Sequence, residues 1–488
     1  MSSRSPLVPP SPPGSGLAAP GGRLLALSEL AAVGPAAASQ FGAKAARLAA
    51  ALRSGLPVLP GWVVPVSEGR TAAQAGADAL AAAGLPAGRR AVLALALDPE
   101  LRAELRAAVQ LLGGRVIVRS SSPLESDARW SGAFSSVTEV GPDDVAAAVR
   151  SCWAAAFAVD PLERLTASGL PATALELGLL IQPQLRPDTG GVARVMGAAV
   201  SIEGVAGHPG ALLAGWAEGA TAQVRLDGGG KDRPAAGLPT AGDGGLAALA
   251  GADTVAAVAA LAARVARELG DDIIEWAAAD GTVWLLQSLR STVPQPAPAG
   301  PARPAAPAGA AASAPAAAAG LTGADPEAAW ARLADPADPR LAEAAAASFQ
   351  APPGAADGLA ARRWMPLLAE VAQAQGRHVP ARPAAPGTAA GLLVRCRPHE
   401  RPDGGGRDAI LLIDRPLPAL APLLFGARGV ITRTGAAGSH LAEVARSLGV
   451  PMVIGCQLDA VLGPDPDARD WIAAIDGEAG DVALLPAF

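Results

Sequence analysis

The stretch GVITRTGAAGSHLAEVARSLGVPMVIG, residues 429–455, predicts a strand, a glycine-rich turn, a helix and a second strand in succession. Ser439 is a suitable N-cap, apolar residues recur at helical spacing after it, and Gly449 can end the helix. His440 therefore lies in the first helical turn. It is one of only 4 histidines in a chain of 488 residues.

The start of a helix gives a histidine a particular chemistry. Free backbone N–H groups and the positive end of the helix dipole disfavour imidazole protonation and attract anions. The glycine-rich approach leaves the backbone open to a ligand. We therefore expect His440 to present a neutral, nucleophilic nitrogen to a phosphoryl group. On spacing alone, the alternative is a histidine that merely helps to cap the helix.

Length, composition and charge restrict the class of protein. A chain of 488 residues is expected to form about two to four domains. The net charge of −6 provides no broad basic surface for nucleic acid or for an anionic membrane, so a small-molecule substrate is favoured. Cys152, Cys396 and Cys456 are far apart and form no CxxC pair, which argues against a disulfide framework or a zinc site. Without a signal peptide or a long, strongly apolar run, we expect a cytoplasmic protein.

The composition changes along the chain and predicts five segments. The fold class expected from them is a mixed α/β and α+β multidomain protein. The segments are a disordered N-terminus at 1–22, a large mixed domain at 23–292, a Pro/Ala-rich linker at 293–320, a short helical segment at 321–379 and a small β/α domain at 380–488.

The stretch around His440 resembles a known domain. The pattern GIVTxxGGxTSHxAIVARExGIPAVVG is typical of the swivelling phosphohistidine domain of the PEP-utilising enzymes, which include pyruvate phosphate dikinase, PEP synthase and rifampicin phosphotransferase. The resemblance implies that His440 is the residue that is transiently phosphorylated. Ala436 replaces the second glycine of the pattern, and Gly438 replaces its threonine, so a contact from a threonine hydroxyl is not expected.

The N-terminal region resembles the ATP-grasp nucleotide-binding domain of the same family. The segment QFGAKAARLAAALRSGLPVLPGWVVP, residues 40–65, matches its opening and places Lys44 at a phosphate contact, although Ala43 and Ala45 replace glycines. The chain has only two lysines among its 39 lysine and arginine residues. A lysine at this position therefore suggests that a compact ammonium charge is needed there, as in phosphate binding. The alternative is an accidental surface lysine.

A second N-terminal motif, VIVRSSSPLESDARWSGAFSSVTEV at residues 116–140, resembles the phosphate-binding part of that domain. The match implies that Arg119 contacts phosphate with its guanidinium fork and that Ser131 and Gly132 lie in the loop that covers the phosphates. Glu125 and Asp127 are further candidates, or they belong to a solvated acidic loop.

Two more motifs complete the resemblance. LLIQPQ, at residues 179–184, implies that Gln182 lies close to adenine. IIEWAAADGTVWLLQSLRS predicts a hairpin that brings Glu275 and Gln287 together, and carboxylate and amide oxygens suit Mg²⁺. Arg290, displaced by one position from the usual arginine, is a candidate phosphate contact. Taken alone, Glu275 could be an exposed strand residue.

The order of the motifs implies a function. We expect an enzyme that uses ATP and Mg²⁺ to phosphorylate His440 and then passes the phosphoryl group to a small-molecule acceptor, with AMP and phosphate as co-products. The chain after His440 is too short for a PEP-binding (β/α)₈ barrel of about 250 residues. The domain order is closest to that of rifampicin phosphotransferase, with a shorter middle segment. The alternatives are an ATP-driven condensing enzyme, a phosphoryl-carrier subunit acting with a partner protein, and a degenerate nucleotide-binding scaffold.

Overall fold

The computed structural model describes most of the regions that carry motifs. The residues it describes are 22–33, 37–226, 245–290, 377–396, 409–462 and 471–486. The predicted linker, nearly all of the predicted disordered N-terminus and nearly all of the predicted helical segment lie outside these residues. Lys231 also lies outside them.

The described residues form thirteen helices and eighteen strands. The helices are α1 Leu27–Leu30, α2 Ala37–Phe41, α3 Ala43–Arg53, α4 Val66–Ala83, α5 Leu85–Leu93, α6 Pro99–Leu111, α7 Val145–Ala155, α8 Val159–Ala167, α9 Gly210–Leu213, α10 Gly245–Ala250, α11 Ala252–Leu269, α12 His440–Leu448 and α13 Asp459–Leu462. The strands are β1 Leu25–Ala26, β2 Trp62–Val64, β3 Val116–Ser121, β4 Ser136–Val140, β5 Gly178–Pro183, β6 Thr189–Met196, β7 Ala199–Ala206, β8 Ala220–Arg225, β9 Ile273–Ala279, β10 Thr282–Leu289, β11 His378–Pro380, β12 Arg382–Ala385, β13 Thr388–Cys396, β14 Ile410–Ile413, β15 Gly429–Thr432, β16 Met452–Ile454, β17 Trp471–Asp476 and β18 Asp481–Pro486. Short 3₁₀ turns occur at Pro123–Ser126, Ala128–Trp130, Ala172–Ala174 and Pro418–Phe425.

The chain forms two compact units. The first comprises the described parts of Met1–Thr292 together with Leu417–Pro422 and Gly438–Ser447, and the second comprises those of Val293–Pro416, Leu423–Ala437 and Leu448–Phe488. The sequence predicted one uninterrupted C-terminal domain. The structure differs because Gly438–Ser447, which contains His440, makes hydrogen bonds and ion pairs with side chains of the first unit.

Two antiparallel five-stranded sheets organise the first unit. One has the strand order β1-β2-β5-β3-β4, and the other has the order β10-β9-β6-β7-β8. The first sheet packs in a core that includes Trp62 and Val118, and the second packs in a core that includes Trp276 and Val258 of α11. Each buried apolar side chain of this size contributes about 1.5–3 kcal/mol to folding, so the two sheets form stable supports for the side chains at their edges.

The hairpin predicted from its turn residues is present. Strands β9 and β10 are joined at Asp280 and Gly281, whose φ angles are 49° and 73°. Two positive φ angles in a two-residue loop are typical of a hairpin turn that matches the natural twist of the strands. Glu275 lies directly opposite Gln287 in this hairpin.

An eight-stranded sheet organises the second unit. Its strand order is β11-β18-β17-β13-β14-β15-β16-β12, with parallel pairing from β13 to β16 and antiparallel pairing at both sides. The domain boundary predicted at residue 380 requires correction. His378 and Val379 were assigned to the helical segment, but both pair with β18 and so belong to the sheet.

A long apolar helical region of the first unit lies in a core. Val145–Ala167 is 23 residues long and contains an 18-residue window with a mean hydropathy of 1.3, which by length and composition would allow it to cross a membrane. It is interrupted between α7 and α8, contains the charged residues Asp160 and Arg164, and is 56% buried over its most apolar window. Helices of a protein core commonly give this signal, and the side chains of Val149 and Trp153 pack in the first core.

Gly42 provides a test of how the helix that carries Lys44 is placed. With φ 84° and ψ 157°, it has a backbone conformation open almost only to glycine, and an added Cβ would lie 1.9 Å from the carbonyl oxygen of Ser121. Gly42→Ala is therefore expected to cost at least about 3 kcal/mol, whereas Gly55→Ala should cost about 1–2 kcal/mol. Gly55 is the matched control because its φ is also positive, at 68°, but a Cβ there meets no atom within 4 Å. Calorimetric unfolding that gave equal losses for both variants would contradict this explanation.

Candidate functional site: a histidine near buried cationic side chains

Lys44 forms a buried ion pair near the start of α3. Its ammonium group donates to the Ser120 carbonyl oxygen at 2.8 Å and to Glu125 Oε1 at 3.1 Å. The other carboxylate oxygen of Glu125 accepts the Ser122 N–H at 2.8 Å. Lys44 is only 7% exposed and Glu125 only 8%, so the interpretation of Glu125 as part of a solvated acidic loop is wrong. Asp127, by contrast, pairs with neighbouring Arg129 and stays partly exposed.

Arg119 connects the two sheets of the first unit. It lies on β3 and donates to the Leu286 carbonyl oxygen on β10 at 2.7 Å. It also reaches the side-chain oxygens of Gln182 at 3.3 Å and Gln287 at 3.4 Å. Burial lowers the pKa of Arg119, although Glu275 and Glu125 oppose this effect. A desolvated guanidinium with forked donors is well suited to binding a phosphate group.

Glu275 and Gln287 form an oxygen-rich pair beside Arg119. Glu275 Oε2 lies 4.0 Å from the Arg119 guanidinium, and both members of the pair are less than 10% exposed. Burial raises the pKa of Glu275, while Arg119 and Lys44 lower it. Further positive charge would stabilise the ionised carboxylate. The donor set fits Mg²⁺, which commonly takes one or two protein oxygens and completes its shell with water and substrate phosphate. Within the described residues, no group of three or more His, Cys, Asp or Glu residues could hold a metal alone.

His440 lies at the beginning of α12 against the loop that contains Ser131 and Gly132. The Ser131 hydroxyl and His440 Nδ1 are 3.0 Å apart. Gly132 has a φ of 67°, and a Cβ there would lie 2.6 Å from Cγ of the imidazole ring. Both residues were predicted to cover phosphate. The structure places them in contact with the histidine itself.

The surroundings of His440 keep its ring neutral. Burial lowers its pKa to about 4, and the charges of Lys44 and Arg164 act in the same direction, while Glu443 and Glu125 oppose them. His440 as a whole residue is only partly buried. The predicted direction of the shift is confirmed. Its main causes are burial and two cationic side chains, whereas the sequence suggested the helix terminus.

Arg164, which the sequence analysis missed, supports the loop against which His440 packs. It is fully buried on α8 and donates to the carbonyl oxygens of Arg129 and Ser131 at 2.8 and 2.9 Å. Asp160, one helical turn earlier, orients the guanidinium through hydrogen bonds of 2.7 and 2.9 Å. The one available sequence signal is the four-residue spacing of Asp160 and Arg164, which is common on helix surfaces and therefore carries little information.

Two predicted binding residues have other partners. Gln182 Nε2 donates to the Leu59 carbonyl oxygen at 3.0 Å, and its side-chain oxygen accepts from Arg119. A role for Gln182 near adenine stays a prediction. Arg290 donates to the carbonyl oxygens of Leu269 and Gly270, and its side chain is 62% exposed. The contacts of Arg290 therefore lie at the end of α11 and not with the Lys44 and Arg119 cluster.

Three further charged residues were missed by the sequence analysis. Arg194 on β6 and Glu203 on β7 both contact the segment Gly438–Ser447, the first through an ion pair with Glu443 and the second through a hydrogen bond from the Gly438 N–H. A signal for Glu443 was present, because it stands three residues after His440, where the family pattern has isoleucine.

The comparisons with known proteins identify the family. Residues 38–207 match the family model described as pyruvate phosphate dikinase, AMP/ATP-binding domain. Residues 405–480, which include His440, match the model described as PEP-utilising enzyme, mobile domain. With both models matching in this order over about half of the chain, the protein belongs to the PEP-utilising enzyme family and contains an AMP/ATP-binding domain of the ATP-grasp type.

Individual relatives add little. No curated protein sequence matches the chain. Among solved structures, the holo form of aconitase X from Thermococcus kodakaraensis is similar at 15% identity, covering 22% of this chain and 98% of that chain, with a TM-score of 0.17. A TM-score this low does not establish a shared fold, and no functional conclusion rests on it.

The low pKa of His440 leads to a pH prediction. The folded protein disfavours the protonated ring, so protonation of His440 does not reduce the free energy of unfolding above the ordinary pKa of 6.5. The reduction grows as the pH falls from 6.5 towards 4. We expect NMR titration to give a midpoint near pH 4 for this ring. Replacing Lys44 with methionine should raise the midpoint because one nearby cation is removed. A midpoint near 6.5 in the native protein would show that the surroundings do not act as described.

Proposed function

We propose that the protein is an ATP-dependent phosphotransferase that forms a phosphohistidine at His440. One observation carries the proposal. A histidine held neutral by its surroundings contacts Ser131 in the same compact unit as the AMP/ATP-binding domain, and it is close enough to Lys44 and Arg164 for their charges to lower its pKa. A neutral imidazole beside buried cations is suited to attack a polyanionic phosphate chain.

The other residues of the site take roles that follow from their chemistry. Lys44 and Arg119 would bind the phosphates and offset their charge, since both are buried donors with little competition from water. Glu275 and Gln287 would hold Mg²⁺. When bound, the metal ion would neutralise phosphate charge and help to align the reacting oxygens. Ser131 would orient the imidazole ring through its contact with Nδ1.

The co-products that we propose, AMP and inorganic phosphate, determine which bonds form and which break. Formation of AMP requires that a nitrogen of His440 bond to the β-phosphorus while the bond from that phosphorus to the oxygen of AMP breaks. Water then takes the terminal phosphoryl group as inorganic phosphate. The phosphohistidine retains the β-phosphoryl group and can pass it to an oxygen nucleophile. Positioning and charge neutralisation supply most of the catalysis in such transfers.

The acceptor completes the proposal. A small molecule with a hydroxyl or carboxylate group is the acceptor we propose, bound by this chain or by a partner protein. Delivery would require His440 to leave its contact with Ser131. A cytoplasmic location stays a prediction.

Replacing His440 tests the central step. In His440→Ala, AMP formation and acid-labile phosphate on the protein should both disappear, because the nitrogen that bonds to phosphorus is absent. ATP binding should persist, since Lys44 and Arg119 remain. His378→Ala is the matched control, because it removes a histidine that pairs with Asp481 in the second unit. Nucleotide products would be quantified by chromatography, and phosphate would be mapped by mass spectrometry. ADP formation that His440→Ala leaves unchanged would overturn the proposal.

Replacing Lys44 tests the phosphate-binding cluster. Lys44→Met combined with Glu125→Gln removes the cation without leaving an unpaired buried carboxylate. A charged hydrogen bond contributes about 1.5–3 kcal/mol, so calorimetry should show ATP affinity reduced by about 10- to 100-fold. Glu125→Gln alone and Arg53→Met, at the other end of α3, are the controls. Unchanged affinity in the double variant would remove Lys44 from the ATP site.

A further inference from the structure

Four charged side chains meet around the segment that carries His440. Glu443 and Arg446 belong to α12, while Arg194 and Glu203 belong to β6 and β7. Arg194 and Arg446 both donate to Glu443 Oε1, and Arg446 Nε also reaches Glu443 Oε2 at 3.4 Å. Glu203 Oε2 accepts the Gly438 N–H at 2.9 Å. None of these contacts involves the residues to which we assign ATP binding.

The charges in this group balance and are largely withdrawn from water. Glu203, Glu443 and Arg446 are each less than 10% exposed, and the Arg194 side chain is 18% exposed. Burial alone would raise the pKa of Glu443, but Arg194 and Arg446 lower it to about 2. Glu443 therefore stays ionised at any working pH. Removing one charge would unbalance this largely buried group, which is costly.

The backbone at Gly438 completes this arrangement. A Cβ at this position would lie 3.1 Å from Cβ of Val192 and 3.3 Å from Glu203 Oε2. Both distances are tighter than ordinary van der Waals contacts, so a side chain would require Val192 or Glu203 to shift by a few tenths of an ångström. This gives a physical reason for glycine where the family pattern has threonine.

The two contacts lie on either side of His440 along the chain. Gly438 precedes the histidine by two residues, and Glu443 follows it by three, close to one helical turn. Holding Gly438 fixes where the helix begins, and holding Glu443 fixes the rotation of the helix about its axis. Together they determine the direction in which the imidazole ring projects, since the Cα–Cβ direction follows helix rotation.

We propose that Arg194 and Glu203 are positioning residues for phosphorylation of His440. By holding Glu443 and Gly438, they align the ring with the phosphates bound by the Lys44 and Arg119 cluster. This inference rests on the proposed function. A positioning role differs from a purely structural role because it predicts loss of phosphoryl transfer from ATP to His440. Neither ATP binding nor the intrinsic reactivity of the ring should be lost.

The test uses the full chain and two phosphoryl donors. In Arg194→Met, the single-turnover rate of His440 phosphorylation by ATP should fall by about 100-fold, because a displacement of about 1 Å can have that effect. The dissociation constant for ATP should change less than about threefold. Phosphorylation of His440 by phosphoramidate, a small donor that needs no bound nucleotide, should stay within threefold of the native rate. Glu203→Gln, which weakens the acceptor for the Gly438 N–H, should show the same pattern with a smaller loss.

Matched variants separate the outcomes. Arg225→Met on β8 removes an exposed arginine from the same sheet and should behave as native protein. Arg194→Lys keeps the charge and should recover part of the lost rate. If Arg194→Met fails to fold, Arg194→Lys and Glu203→Gln decide the question. A native rate of phosphorylation by ATP in Arg194→Met and Glu203→Gln overturns the inference. An equal loss of rate with ATP and with phosphoramidate also overturns it. If native protein never forms phosphohistidine, the proposed function itself fails, irrespective of Arg194.

Discussion

The site depends on keeping two cations near an imidazole that must stay uncharged. Lys44 is held by the Ser120 carbonyl oxygen and by Glu125, and Arg164 is held by Asp160. Each cation is therefore fixed before any substrate binds, and no proton on His440 is needed to balance the local charge. The same field that disfavours the imidazolium ion favours an arriving polyphosphate. One electrostatic arrangement would thus prepare both the proposed nucleophile and the binding place for its proposed target.

The two sheets of the first unit explain how residues far apart in sequence reach this site. Arg119 on one sheet donates to a backbone oxygen of the other, so the sheets are joined at the place where phosphate would bind. The hairpin of β9 and β10 places Glu275 opposite Gln287 by register alone. The contacts of Arg119 with Leu286 and Gln287 span 167 and 168 residues of sequence, and such contacts depend on tertiary packing more than on any local motif.

The sequence predicted the parts of the fold that depend on local pattern. The helix after Ser439 and the hairpin at Asp280 follow from capping residues, periodicity and turn chemistry, and both are present. The burial of Glu125 and the role of Arg164 could not be predicted, because each depends on partners brought together by packing. For the same reason, the sequence could not predict that Gly438–Ser447 belongs to the first unit. No local pattern indicates that Arg194 and Glu203 will contact this segment.

The contact between Ser131 and Nδ1 of the imidazole has a consequence for regiochemistry. A ring nitrogen that is hydrogen-bonded to a hydroxyl, in a ring that packs against Gly132, is shielded from a phosphorus atom. In the proposed reaction, bond formation would therefore fall to Nε2, the other ring nitrogen. A phosphorylated form of this protein should accordingly carry the Nε2-linked isomer alone, and ³¹P NMR distinguishes that isomer from its Nδ1-linked counterpart.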